Sequence, residues 1–207
     1  MKPRLRGVWH QWAFVLAIPL GVALVVIAET ARARFAAAVF AATVAAMFGV
    51  SAPYHRVTWS PAWRPRLRRL DHATIYALIA GTYTPFGLLV LEGAWRAAVL
   101  AIVWTGAALA IAQKVVWPSA SKWIAAGLGI GLGWVGIVAI PQIIDNAGLA
   151  ASLLVLAGGL CYTVGAVVYA TGKPNPAPAV FGYHEVFHEL VVAAVALQYA
   201  SVALIVS

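Results

Sequence analysis

Histidine and carboxylate side chains lie at the ends of three hydrophobic segments of this chain, where they could bind a metal ion. His184 and His188 are one helical turn apart at the start of the last hydrophobic segment. His55 ends an earlier segment, Ser51 lies one turn before it, and Asp71 begins the segment that follows. Residues four apart share a helix face, so each pair can direct both side chains to one place.

Three histidines and a carboxylate are the side chains expected of a zinc site. Catalytic zinc is often held by three protein ligands, with a fourth position left to water. We therefore predict that His55, His184 and His188 bind zinc and that Asp71 orients the water or accepts its proton. Ser51 is predicted to donate a hydrogen bond to Asp71 or to that water. Asp71 and Ser51 are thus the candidate catalytic residues.

Each of these side chains also has a simpler explanation. The paired histidines could have no role beyond anchoring a helix end at the membrane surface. Asp71 could cap the third span or interact with its dipole, and Ser51 could bond to its own helix backbone. His72 points to a different helix face from Asp71 and is not expected to be a ligand. His10 is expected to lie at the membrane interface.

The sequence His184-Glu-Val-Phe-His188 matches the H-E-x-x-H pattern of zinc proteases, in which Glu185 would be the general base. Nineteen residues follow His188, and none of them is His, Asp or Cys. Because the third ligand of such a protease is missing downstream, we interpret the pattern as two ligands with an unrelated glutamate.

The composition requires a membrane. Of the 207 residues, 63% are hydrophobic and 10% are charged, whereas soluble domains are about 45–50% apolar and about 25% charged. A single cysteine excludes an intrachain disulfide. Apolar runs of spanning length occur at 11–28, 35–54, 71–91, 95–113, 122–141, 148–170 and 184–206.

The distribution of basic residues predicts the orientation. With the N-terminus inside, eleven of the fourteen Lys and Arg residues lie in inner segments, which is a strong positive-inside bias. We predict an all-α, seven-transmembrane helix bundle that forms one domain over 1–207, with the N-terminus inside and the C-terminus outside. The net charge of +8 is assigned to contacts with lipid headgroups, so nucleic acid is not an expected partner.

Five arginines between Arg56 and Arg69 border the predicted metal site. Their simplest role is to fix topology and contact headgroups, and a more specific one is to gather the anionic head of a lipid or fatty acid beside the metal. Pro61 and Pro65 are expected to prevent a continuous helix across this loop.

The same residues carry a resemblance to the hemolysin III family, which belongs with the progestin and adipoQ receptors. The segments are Ser51-Ala-Pro-Tyr-His55, the run that begins Asp71-His-Ala-Thr-Ile-Tyr, and Gly182-Tyr-His-Glu-Val-Phe-His188. The resemblance implies seven helices with a cytoplasmic N-terminus. It also implies a zinc held by the three histidines near the cytoplasmic face, in a bacterial inner membrane.

Three functions are compatible with these expectations. The first is a zinc-dependent hydrolase of membrane-lipid amides or esters, with a lipid or fatty acid as substrate or product. The second is a lipid or fluidity sensor in which zinc is structural. The third is a cytolysin or pore former, as the family name suggests, although seven hydrophobic spans suit a resident membrane protein better. The sequence does not determine the oligomeric state.

Overall fold

The apolar runs fold as helices, since a helix satisfies its backbone polar groups without water. The computed structural model describes residues 2–207, and its regular elements are helical apart from one isolated bridge between Ala177 and Phe181. The predicted all-α class is confirmed. The elements are α1 (Val8–Ile27), α2 (Ala31–Arg56), α3 (Arg64–Leu89), α4 (Gly93–Val116), α5 (Lys122–Gly133), a 3-10 helix (Val135–Ala139), α6 (Ile140–Thr171) and α7 (Tyr183–Val206).

Within residues 2–207, five stretches are long and apolar enough to cross a membrane. They are α1, α2, α4, α7 and the segment Lys122–Thr171, which contains α5, the 3-10 helix and α6. The chain is therefore an integral, multi-pass membrane protein. α3 is not among the five, and α5 and α6 are not separated. The seven spans and their orientation stay predictions.

α3 begins at Arg64, earlier than the apolar run at 71–91 predicted. Pro65 lies in the first turn of α3, where backbone N–H groups have no partner within the helix. Proline, which lacks this N–H, therefore loses no hydrogen bond there, and its fixed φ suits the helix. Pro61 lies in the turn between α2 and α3, as expected, whereas Pro65 helps to start the new helix. Asp71 is about two turns inside α3. The explanation of Asp71 as an N-terminal cap is therefore wrong.

A break in the helix within Lys122–Thr171 is held by a tyrosine from α3. α5 ends at Gly133, and the 3-10 helix follows. The Tyr83 hydroxyl donates to the Gly133 carbonyl at 2.6 Å and accepts from the Gly136 N–H at 3.0 Å. These bonds satisfy backbone groups that lose their helical partners at the break, which is required where water is scarce.

The division of this segment differs from the predicted runs. The run at 122–141 contains α5, the 3-10 helix and the first residues of α6. Asp145-Asn146, which falls between the predicted runs at 122–141 and 148–170, is inside α6. The change of direction occurs instead at Gly148, whose φ of 81° is readily adopted by glycine.

Helices that are neighbours in sequence pack against each other, and α7 closes the bundle. The main contacts join α1 with α2, α2 with α3, α3 with α4, and α6 with α7, while α7 also touches α1, α2 and α3. Small residues permit this approach, since a Cβ added at Gly21 of α1 would lie 2.8 Å from the Cβ of Ala41 on α2. The packing brings the end of α2, the first turns of α3 and the start of α7 together.

Candidate metal centre

Three histidine rings converge where α2 ends and α7 begins. His55 is in the last turn of α2, and His184 and His188 lie in the first two turns of α7. One possible ligand atom from each histidine lies within 4.8 Å of the others. His55 and His188 are buried, whereas His184 is partly exposed. The predicted cluster is therefore present in the structure.

The distances between the ring nitrogens of the three histidines suit a bound metal ion. Two nitrogens that bind one tetrahedral zinc at about 2.0–2.1 Å lie about 3.4 Å apart, and the Nε2 atoms of His55 and His184 are 3.3 Å apart. Nδ1 of His188 is buried and has no hydrogen-bond partner within residues 2–207, which is unfavourable unless something binds the ring. The residues fit a metal ion, and imidazole ligands suit zinc, copper, iron or nickel.

Asp71 and Ser51 lie beside the histidines. Asp71 is buried, and its Oδ2 is 3.7 Å from Nε2 of His55. Ser51 is also buried, and its Oγ is 2.9 Å from Nδ1 of His10, so the bond found for this hydroxyl is not to its own helix. The structure thus brings together all the side chains predicted for the site, while the catalytic roles of Asp71 and Ser51 stay predictions.

His10 is part of this cluster, although the sequence analysis placed it at the membrane interface. Its side chain is 2% exposed, and its ring stacks on His188 with a centroid separation of 3.7 Å and an interplanar angle of 7°. The prediction of a merely interfacial role is wrong because α1 packs beside α2 and α7, which encloses the His10 ring between Ser51 and His188. The signal that could have found it was a histidine at the same predicted membrane face as the others.

Glu185 stabilises the start of α7. Its side chain is fully buried; Oε2 accepts from the Gly182 N–H at 2.8 Å, and Oε1 forms an ion pair with Nε of Arg6. A glutamate at the third helical position that bonds back to the residue before the helix is a common N-terminal cap. Both carboxylate oxygens have partners, which supports the interpretation of Glu185 as unrelated to the ligand pair.

An apolar cavity extends from the histidines into the bundle, between α3, α5, α6 and α7. His72, which was not expected to be a ligand, lines this cavity and lies edge-on to Tyr169 at 6.3 Å between ring centroids. Ser51, Asp71, His184 and His188 line the end of the cavity. Its inner walls include Leu78, Ile79, Phe86, Ile140, Leu156 and Val191.

Comparison with known proteins places the chain in a family. The family described as "Haemolysin-III related" matches residues 1–199. The protein named "Hemolysin-3" from Bacillus cereus is 34% identical over 170 residues, which cover 81% of this chain and 77% of the relative. The "Hemolysin-3 homolog" of Bacillus subtilis (strain 168) is 27% identical over 188 residues, which cover 89% and 85% of the two chains. The chain therefore belongs to the Haemolysin-III related family.

Proposed function

We propose that this protein is a zinc-dependent hydrolase of lipid amides or esters that acts in lipid homeostasis of a bacterial inner membrane. One observation carries the proposal: the candidate metal centre opens into an apolar cavity lined by Asp71, Ser51 and two of the histidines. Structural zinc sites are usually closed, with four protein ligands, whereas an apolar cavity with a few convergent polar groups suits a ligand with an acyl chain.

The side chains of the site have distinct roles in this proposal. Zinc bound by His55, His184 and His188 would polarise a carbonyl oxygen and make water more acidic. Asp71 accepts a proton from the water that attacks the carbonyl carbon, and the bond from that carbon to nitrogen or oxygen breaks. Asp71 then returns the proton to the leaving group, so one water is consumed and a fatty acid and an amine or alcohol are released.

His10 fixes the direction of the Ser51 hydroxyl. When Nδ1 of His10 carries its proton, Ser51 Oγ accepts that hydrogen bond across 2.9 Å. The Ser51 O–H is then free to donate to Asp71 or to the attacking water. This arrangement would keep the carboxylate in position for proton transfer.

A second function, a lipid or fluidity sensor with structural zinc, is favoured by one distance. Asp71 Oδ2 lies 3.7 Å from Nε2 of His55, close enough for the carboxylate to become the fourth ligand of a closed site after a small movement. The ion would then link α2 and α7 without catalysis.

Metal analysis and a lipid assay of the purified protein test both functions. We expect about one zinc per wild-type chain, retained in Asp71→Asn and lost in the double variant His184→Ala/His188→Ala. Hydrolysis of long-chain lipid amides and esters should fall by at least about a hundredfold in Asp71→Asn. Asp145→Asn is the matched control, since it makes the same change at an exposed aspartate that lines neither the cavity nor the metal centre, and it should keep both properties.

Two results would contradict the hydrolase. Zinc loss in Asp71→Asn together with an absence of lipid hydrolysis in wild type would favour the structural ion. Wild-type protein without metal after zinc is resupplied would exclude both functions.

A further inference from the structure

A cleft rich in basic side chains lies beside the histidines. Five cations line it, and they come from separate parts of the chain: the N-terminal segment, α3 and the start of α5. The tips of His55 and His184 form part of its wall. The cations are Lys2, Arg6, Arg64, Arg68 and Lys122. We call this cleft the vestibule.

Carboxylates do not balance the charge of the vestibule. Arg6 is paired with Glu185, and the other ion pair found within residues 2–207 is His55 with Asp71. The remaining four vestibule cations are therefore without a carboxylate partner in the described part of the chain. The pKa of Lys2 is lowered, first by partial burial and then by the positive charges of Arg56, Arg6 and Arg64.

Neutral groups hold several of these cations in position. Lys2 Nζ donates to the Arg56 carbonyl at 3.1 Å, and Arg68 donates to the Pro118 carbonyl at 3.3 Å. Lys122 Nζ donates to the Tyr183 hydroxyl at 3.0 Å and lies 5.2 Å from the ring centroid of Tyr169. Carbonyl, hydroxyl and aromatic partners orient a cation without neutralising it. An anion is therefore the complementary ligand for this cleft.

A general inside-positive bias does not explain this arrangement. Arg64 and Arg68 are one turn apart on α3 and both face the vestibule. Arg66 lies on another face of the helix, where its guanidinium stacks on Trp63 at 5.2 Å. The positive-inside rule requires only that arginines lie on the inner side of the membrane. It does not explain why Arg64 and Arg68 of α3 face the same cleft as Lys2 and Lys122.

The vestibule and the apolar cavity meet at the metal centre. His72, Tyr169 and His184 line both of them. A molecule with its head in the vestibule and its chain in the cavity would thus pass across the histidines. An amphiphile with an anionic head matches both environments.

We propose that the vestibule binds the phosphate group of a lipid whose acyl chain occupies the apolar cavity. A phosphate carries up to two negative charges and several acceptor oxygens, so it can form charge-assisted hydrogen bonds with more of the four cations than a single carboxylate can. The planar arginine groups suit bidentate contact with phosphate. This inference rests on the proposed hydrolase for its functional meaning: the products would be a fatty acid and the phosphate-bearing remainder of the lipid.

Binding to two matched double variants tests the vestibule. Arg64→Gln/Arg68→Gln removes two vestibule charges, and Arg66→Gln/Arg69→Gln removes two charges from the same helix outside it. Full-length protein in detergent is titrated with dioleoyl phosphatidate, dioleoylglycerol, oleate and inorganic phosphate, and dissociation constants are measured by thermophoresis. Phosphatidate should bind the first variant at least about tenfold more weakly than wild type, since charge-assisted hydrogen bonds are lost. It should bind the second variant about as tightly as wild type.

The other ligands identify the source of the phosphate. Wild type should bind phosphatidate at least about tenfold more tightly than dioleoylglycerol, which lacks the phosphate, and than inorganic phosphate, which lacks the chains. Equal affinity for phosphatidate and inorganic phosphate would overturn the lipid source. Equal losses in the two double variants, or no preference over dioleoylglycerol or oleate, would overturn the phosphate site.

The binding assay is independent of hydrolysis. Phosphatidate that binds in the vestibule of a protein that, with zinc supplied, cleaves neither phosphatidate nor long-chain lipid amides and esters would support the phosphate site and contradict the hydrolase. Cleavage of neutral lipid amides without selective phosphatidate binding would support the hydrolase and overturn the phosphate site.

Discussion

At the scale of single residues, the site differs from a plain three-histidine cluster because a fourth histidine packs against it. His10 stacks on His188, and its Nδ1 contacts the Ser51 hydroxyl. One ring therefore touches both a candidate ligand and a candidate catalytic residue. A buried neighbour that restricts the orientation of a ligand raises metal affinity by limiting the positions that the ring can adopt.

The stack between His10 and His188 should contribute to metal affinity. We expect His10→Ala to weaken zinc binding about fivefold, because an aromatic stack contributes roughly 1 kcal/mol. His10→Phe keeps a ring of similar size and should bind zinc with close to wild-type affinity. Competition with a fluorescent zinc chelator measures both constants. Equal losses in the two variants would show that the contact with Ser51, rather than the stack, supports the metal.

Glu185 provides a second test at the residue scale, since its burial and ion pair indicate a structural role. Replacing it by Gln removes the charge opposite Arg6, and we expect a loss of about 1–3 kcal/mol in the free energy of unfolding. Activity per folded molecule should stay within about threefold of wild type, because the carboxylate bonds to Gly182 and Arg6. Thermal unfolding and a lipid assay measure the two quantities. An intact unfolding midpoint with complete loss of hydrolysis would instead make Glu185 a general base.

Spacing in the sequence was sufficient to predict the site residues that lie in pairs on one helix. It was insufficient to predict those that come together only when different helices pack. Ser51 with His55 and His184 with His188 were found because each pair is four residues apart near a helix end. His10 has no such partner, and its contacts to Ser51 and His188 depend on how α1 packs beside α2 and α7. The early start of α3 was hidden because its first turns are rich in arginine and lack apolar character.

At the scale of elements, the break after α5 depends on one side chain. The hydroxyl of Tyr83 contacts the backbone of Gly133 and Gly136. The glycine-rich run before the break and Pro141 after it are sequence signals for an irregular segment. No local pattern indicates which residue from another helix supplies the missing hydrogen bonds, so that part of the fold could not be predicted from the sequence.

Removing the Tyr83 hydroxyl should destabilise this break. Tyr83→Phe leaves a carbonyl and an N–H without their partner, and we expect a loss of about 1–3 kcal/mol in the free energy of unfolding. Tyr162→Phe is the matched control, since the Tyr162 hydroxyl is buried without a hydrogen-bond partner in the described chain and its removal should be neutral or stabilising. Unfolding midpoints in the same detergent compare them. Equal midpoints for the two variants would contradict a structural role for Tyr83.

At the scale of the whole molecule, the buried ionisable groups are concentrated at one end of the bundle, and apolar surface surrounds the helices. Large hydrophobic side chains such as Val26, Leu109 and Val116 are more than 60% exposed, as expected for surfaces that face lipid. Asp71, Glu185 and the site histidines, by contrast, are turned inward. The placement of buried ionisable groups at one end makes the orientation of the bundle a functional question, since it decides which compartment the vestibule meets.

The orientation and the status of α3 can be tested with single cysteines. With Cys161 replaced by Ser, we expect Ser60→Cys, between α2 and α3, to react with a membrane-impermeant maleimide only after the cells are opened. Glu92→Cys, between α3 and α4, and Ser207→Cys at the C-terminus should react in intact cells. The reason is that the basic connections between α2 and α3 and between α4 and α5 are both predicted to lie inside, which requires α3 to cross the membrane.

Ser60→Cys and Glu92→Cys labelled from the same side would show that α3 does not span. Labelling of Ser60→Cys alone in intact cells would place the vestibule outside and reverse the predicted orientation.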